Sequence, residues 1–229
     1  MRVLALDAAT EACSVALYSG SESIGRFAVP GRTHAQQILG MVKDVLSEAG
    51  LSLSMLDGIA ASIGPGAFTG VRISVAVAQG LAFGADLPVI PVTTLEALAF
   101  RATGGGIDHA IACLDARMGE VYWGCFAVDP RRGLKAGGAA AVGPPGSVAL
   151  PSLSVHRGIG RGFAAYPQLA MLPGVTLDPG DGDALPDARE FARLGAIRLA
   201  LGEGIDPAEL SPLYLRDKVA LTEAERALK

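Results

Sequence analysis

The chain has 229 residues, 50% of them apolar and 18% charged, enough to build one large domain or two small ones around a real core. A net charge of −4 argues against a protein that grips nucleic acid by itself, because neutralising phosphates needs clustered Lys and Arg. Cys13, Cys113 and Cys125 lie in apolar runs without CxxC spacing, which reads as buried thiols and predicts a cytoplasmic location.

From the N-terminus, Arg2 to Leu6 reads as a buried strand that meets Asp7 too early to be a signal peptide. Ala12 to Tyr18 is its hairpin partner across Ala8-Ala9-Thr10-Glu11, and Ile24 to Val29 a third strand. Apolar residues at helical spacing, among them Ile38, Val42, Val45 and Leu46, predict a helix from Thr33 to Ala49. Gly58 to Ile63 is a strand. The stretch Gly64-Pro65-Gly66-Ala67-Phe68-Thr69-Gly70 is a sharp turn into a helix of small and branched residues, Thr69 to Phe83. Such a turn aims backbone N–H groups at an anion or at a protein surface. The apolar segment from Ile73 to Ala85 is too short to span a bilayer. Val89 to Val92 is a strand, and Thr93 with Glu96 forms a capping box for the next helix.

The glycines at 104 to 106 mark a boundary. Beyond them His109 to Leu114 is a strand ending in Asp115, and Glu120 to Val128 returns after a tight turn, an echo of the first hairpin that suggests a duplicated half. Residues 130–152, rich in Gly, Pro and Ala, read as loop. Val155 to Ile159 is a strand and Ala188 to Gly202 an amphipathic helix. The division expected is 1–105, 106–206 and a tail, 207–229, whose Tyr214, Leu215 and Arg216 pack on the body or on a partner.

Asp7 and Thr10 stand where a strand-turn-strand phosphate loop would sit, and Asp115 with Arg117 marks a second such loop. Either acid could equally serve its own turn, Asp7 by bonding backbone N–H groups and Asp115 by pairing with Arg117. The Gly158 to Gly162 cluster could line an adenosine pocket or simply turn a strand into a helix. His34, His109 and His156 lie far apart without HxxxH spacing, and neither a Gx4GK[ST] loop nor a GxSxG elbow occurs.

Four strings carry a resemblance that runs through most of the chain: Leu6 to Leu17, Gly64 to Arg72, Asp115 to Trp123 and Pro212 to Arg216. The chain resembles the TsaB (YeaZ) family, accessory subunits in the synthesis of threonylcarbamoyladenosine in tRNA. Ala67 and Ala8 stand where the family usually has serine and threonine. The resemblance implies an α/β, actin-like (RNase H-like) duplicated fold with a shortened second half. The catalytic relative TsaD carries an HxxxH metal pair where this chain has Thr94 and Leu98, which predicts no metal and no catalysis. It further implies a scaffold that binds TsaD through its N-terminal helices, with TsaE in a ternary complex, tRNA reached through the complex, and a homodimer when TsaD is absent. The residues expected to face the partner are Ile38, Val42, Val45, Phe68, Thr69, Arg72, Ser74, Val77, Ala78 and Leu81. No cofactor is expected, unless ATP or ADP sits at the partner interface against Asp7, Thr10, Asp115 and Arg117. The rival readings are a stand-alone actin-like ATPase or kinase and a metallopeptidase of the glycoprotease type.

Overall fold

A computed structural model describes residues 1–20, 22–31, 33–103, 106–151 and 154–216. Gly104 and Gly105 at the expected boundary, and the tail from 217 onward, lie outside the described residues. Two sheets organise the chain. The first holds β1 (Arg2–Asp7), β2 (Cys13–Ser19), β3 (Glu22–Ala28), β4 (Gly58–Ser62) and β5 (Val89–Val92) in the order β3-β2-β1-β4-β5. β1 is antiparallel to β2, with Leu4 opposite Leu17, and parallel to β4, with Leu4 opposite Ile59. β4 is buried throughout and β1 from Val3 onward. Their unbroken apolar runs reflect a sheet covered on both faces.

One face is covered by α1 (His34–Ala49) and α2 (Phe68–Ala85), whose Ile38, Val42, Val45, Val75, Ala78 and Ala82 pack on Leu4, Leu6, Leu17 and Ile59. The other is covered by α5 (Ala188–Ala200), whose Phe191, Ala192 and Leu194 meet Val3, Ala5, Ala16, Ala60 and Ile90. This corrects the division at 106–206: the helix near the end of that block belongs to the first sheet. The small residues opposed there let the elements close up, and a Cβ on Gly195 would lie 2.7 Å from that of Ala60.

The second sheet runs β11-β10-β6-β7-β8, from β6 (His109–Arg117), β7 (Glu120–Asp129), β8 (Gly133–Ala136), β10 (His156–Ile159) and β11 (Val175–Thr176), with β9 (Ala141–Gly143) also on β7. The expected loop over 130–152 therefore contains two strands. Its Gly and Ala content carries little strand propensity, and the free edge of β7 decides the pairing instead. β6, β7, β8, β10 and β11 repeat the arrangement of β1, β2, β3, β4 and β5. This is the duplicated α/β, actin-like fold, and the second copy is shortened: α4 (Gly162–Ala165) has 4 residues where α2 has 18.

Between the sheets lies α3 (Thr94–Ala102), which sends Leu95, Leu98 and Ala102 to the second core and Ala97 to the first. Its capping box is formed as expected: the Glu96 N–H donates to Thr93 Oγ1 at 3.1 Å, and the Thr93 N–H to Glu96 Oε2 at 2.8 Å. Glu96 also pairs with Arg198 of α5 at 2.5 Å. Burial opposes its charge, but Arg198 and the cap together hold its pKa below the ordinary value.

The glycines of the Gly64–Gly70 turn are set by contact. A Cβ on Gly66 would lie 2.1 Å from the Ala9 carbonyl oxygen, and one on Gly70 2.0 Å from that of Ala8. Gly80, midway along α2, has no such neighbour. Gly70→Ala should therefore cost about 2–3 kcal/mol of stability, whereas Gly80→Ala should add about 1 kcal/mol through helix propensity. Denaturant titration of the two variants checks the opposite signs.

Candidate functional site

At the end of β1, Asp7 is completely buried and its Oδ1 accepts the Ala9 N–H at 3.1 Å. Loss of hydration on burial lifts its pKa from 3.8 to about 7. Hydrogen bonds from Ala9 and Ser62 work the other way, and the Asp187 carboxylate adds to the rise. Above this turn, the Ala67 N–H at the head of α2 donates to the Ala9 carbonyl at 2.7 Å. Ser74, about two turns further along, accepts the Ala8 N–H at 2.8 Å. The N-cap of α2 thus bonds the chain's own β1–β2 turn, while Phe68, Thr69 and Gly70 of its first turn line the cleft described next.

A cleft of about 890 Å³ opens between the two hairpin turns, lined by Thr10, Glu11, Phe68, Asp115, Arg117 and Tyr214 among others. Of the four expected nucleotide-contact residues, Thr10, Asp115 and Arg117 reach this cleft, while Asp7 lies behind its wall. The Thr10 hydroxyl accepts the Ala12 N–H at 3.3 Å, and the Thr10 carbonyl meets His34 Nε2 at 3.1 Å. Arg117 and Met118 adopt left-handed backbone, φ 61° and 57°, ahead of Gly119 at 81°. That geometry turns the Arg117 side chain onto acids of both lips, Asp115 at 3.1 Å and Glu11 at 2.9 Å. Tyr166 donates its hydroxyl to Asp115 as well, at 3.2 Å. The charge of Arg117 is therefore matched within the chain.

Thr94 and Leu98 are fully buried. The Thr94 hydroxyl bonds that of Ser62 at 3.1 Å, and Leu98 packs in the second core. Gly160 and Gly162 lie against the backbone of Cys113, so the 158–162 cluster turns a strand into a helix, much as Gly66 and Gly70 do in the first half. His109 and His156, far apart in sequence, meet in the fold: β6 and β10 are parallel neighbours, and the ring centroids lie 5.3 Å from each other. No signal in the spacing of 47 residues could show this, because the sheet order alone brings them together. Among the described residues no three His, Cys, Asp or Glu side chains form a metal-holding group.

The helix residues expected to face a partner divide sharply. Ile38, Val42, Val45, Ser74 and Ala78 are buried, and Val77 and Leu81 are half-buried against the same core. This corrects the sequence-based assignment: the side chains with the most regular spacing are those the sheet has claimed. Phe68, Thr69 and Arg72 are exposed. The outward face also carries Leu39 on α1, at 54% exposure, and Gly80 on α2, together with Ala76, Phe83 and Gly84, which sequence reasoning missed, Phe83 being 60% exposed. By length and composition α2 could cross a membrane. Here its inner side sits on the first sheet, and Gln79 donates to the carbonyls of Pro207 and Leu210.

The family described as TsaD, tRNA N6-adenosine threonylcarbamoyltransferase, matches residues 28–142. The Escherichia coli tRNA threonylcarbamoyladenosine biosynthesis protein TsaB is 40% identical over 96% of this chain and 96% of its own length. The Haemophilus influenzae protein of the same name is 36% identical over 96% and 95%. The solved structure of YeaZ from Pseudomonas aeruginosa has a TM-score of 0.85 at 42% identity, covering 93% of this chain and 99% of that one.

The raised pKa of Asp7 sets a direction for stability. An unfolded chain releases this proton near pH 3.8 and the folded one near 7. Between those values the native state holds the extra proton, so stability falls as pH rises and levels off above 7. Glu190, lifted from 4.5 to about 7 by burial and by Asp187, acts in the same direction. Asp7→Asn should remove a loss on the order of 2–4 kcal/mol between about pH 4 and pH 7. Adding Glu190→Gln should flatten the curve further. Chemical denaturation across that range tests both.

Proposed function

We infer the function of this chain from its membership of the TsaB (YeaZ) family of tRNA threonylcarbamoyladenosine biosynthesis proteins, to which it belongs. The chain acts in that biosynthesis, and its part there is that of a non-catalytic scaffold for the catalytic subunit TsaD. The observation that carries this reading is the outward side of α1 and α2. Leu39 and Phe83 stand out from it, and Ala76, Gly80 and Gly84 leave the α2 backbone open to close approach. A helix laid on such a stripe buries apolar surface at short interaxial distance.

Three features support a role without chemistry. Thr94 and Leu98 offer a buried hydroxyl and a hydrocarbon where TsaD-like chains place imidazoles. The Ala67 N–H at the head of α2 is taken by the Ala9 carbonyl, and Arg117 by Glu11 and Asp115. In this reading the chain needs no cofactor of its own, and ATP or ADP enters at the junction with TsaD. TsaE joins the same assembly. tRNA meets the complex rather than this acidic chain alone, and the same face pairs two copies when TsaD is absent.

Gly80 gives the clean test, because its Cβ would meet nothing, whereas Ala78 is a core residue. Gly80→Arg should keep the wild-type melting temperature within a few degrees and abolish co-purification with the TsaD of the same organism. A well-folded Gly80→Arg that still binds would refute the assigned face. The purified chain should also release no phosphate from ATP above the buffer rate, and turnover would favour the stand-alone ATPase.

A further inference from the structure

The scaffold reading leaves unused the segment from Ser211 to Arg216, which crosses the mouth of the cleft. On one side the Leu213 N–H donates to the Ile63 carbonyl at 2.8 Å. On the other, Arg216 pairs with Glu120 and lies 6.0 Å from the centre of the Tyr122 ring. Between them the Tyr214 ring sits 5.6 Å from that of Phe68. The Arg72 guanidinium lies 3.7 Å above Phe68, and its Nε donates to Tyr214 Oη at 2.8 Å. The three side chains form a stack at the head of α2 that stays partly open to solvent, with Phe68 42% and Tyr214 46% exposed.

Arg72 is the only charged residue of α2. Among the described residues it makes no ion pair, and it shares the outward side of the helix with Thr69, Ala76, Gly80 and Phe83. Nε is used, and among the described residues the two terminal nitrogens of the guanidinium have no protein acceptor. Covering this face with a wholly apolar surface would bury an uncompensated cation. A carboxylate meets the flat edge of a guanidinium with paired hydrogen bonds and removes that cost. Holding the long arginine side chain against an aromatic face before contact also lowers the ordering cost on binding.

We infer that Tyr214 is a positioning residue for partner recognition, pinning Arg72 on Phe68 so that the guanidinium edge is presented at the head of the apolar stripe. The occupant is a helix of a partner protein with an Asp or Glu opposite Arg72 and small or apolar residues opposite Ala76, Gly80 and Phe83. The inference rests on the scaffold reading and adds to it the charge the partner must bring. The α2 of a second copy carries no acid, so it cannot fill this role through that helix.

The test titrates the TsaD of the same organism into the full chain by calorimetry, at low and high salt, with Arg72→Ala, Tyr214→Ala, Tyr214→Phe, the Arg72→Ala/Tyr214→Ala double variant and Gly80→Arg. Arg72→Ala and Tyr214→Ala should each weaken binding about ten-fold or more, as buried Arg and Tyr contacts commonly do. The double variant should be no weaker than the worse single one, and the salt dependence should vanish with Arg72. Tyr214→Phe removes only the hydroxyl and should show a smaller loss of the same kind, which keeps the test open if Tyr214→Ala folds poorly. Losses that multiply in the double variant would overturn the inference, because Tyr214 would then act independently of Arg72. So would variants that alter only self-association. Wild-type binding by the Arg72 and Tyr214 variants, with Gly80→Arg inactive, would sink this inference and leave the scaffold reading standing. Wild-type binding by Gly80→Arg would sink both.

Discussion

Helix α2 can lie where it does because Gly66 and Gly70 bring its first turn onto the carbonyl oxygens of Ala8 and Ala9, closer than any side chain would permit. Two hydrogen bonds fix the contact, Ala67 to Ala9 and Ala8 to Ser74. The rest of the functional reading descends from it. A helix anchored this way has its rotation set, so Val75, Ala78 and Ala82 go to the sheet and Ala76, Gly80 and Phe83 to solvent. The same contact places the Ala67 N–H on the chain's own β1–β2 turn. One packing event both ties that turn to α2 and leaves an apolar side of the helix facing outward.

The two halves show how a duplicated fold can diverge by trimming. Sheet order is kept, but the second copy reduces its last strand to two residues and the helix after β10 to four. What remains still frames a cleft, and its lips are tied by Arg117 to Glu11 and by Arg216 to Glu120. The Arg117–Glu11 pair is exposed and individually weak, and the Arg216–Glu120 pair is partly buried. Their effect is geometric, since each joins a residue of one hairpin turn or the tail to its opposite lip.

The fold could be read from residue pattern wherever the pattern was local. Strands β1, β2 and β4, the Thr93–Glu96 cap and the echo of the first hairpin in β6 and β7 all rest on neighbouring residues, and the structure has them. Nonlocal facts were out of reach. β8 and β9 are held by the edge of β7 and not by propensity, and α5 lies on a sheet whose strands end nearly a hundred residues before it. The partner face is the instructive case. In α1 and α2 the regular apolar spacing reads as a docking side, yet a sheet selects the best-spaced residues for itself. In α2 apolar residues surround the helix, so periodicity alone could not tell inside from outside. Two polar residues distinguish the sides: Ser74, whose hydroxyl has a backbone partner in the β1–β2 turn, lies inward and Arg72 outward.

The late return of α5 to the first sheet also governs how the polypeptide is born. While the ribosome extrudes the early strands, Val3, Ala5, Ala16, Ala60 and Ile90 have nothing to lie beneath, because Phe191 and Leu194 do not yet exist. The nascent chain must carry that bare hydrocarbon surface through most of translation, a long-range closure of the kind that slows folding and invites chaperones. Any fragment ending before residue 188 inherits the same open flank for good.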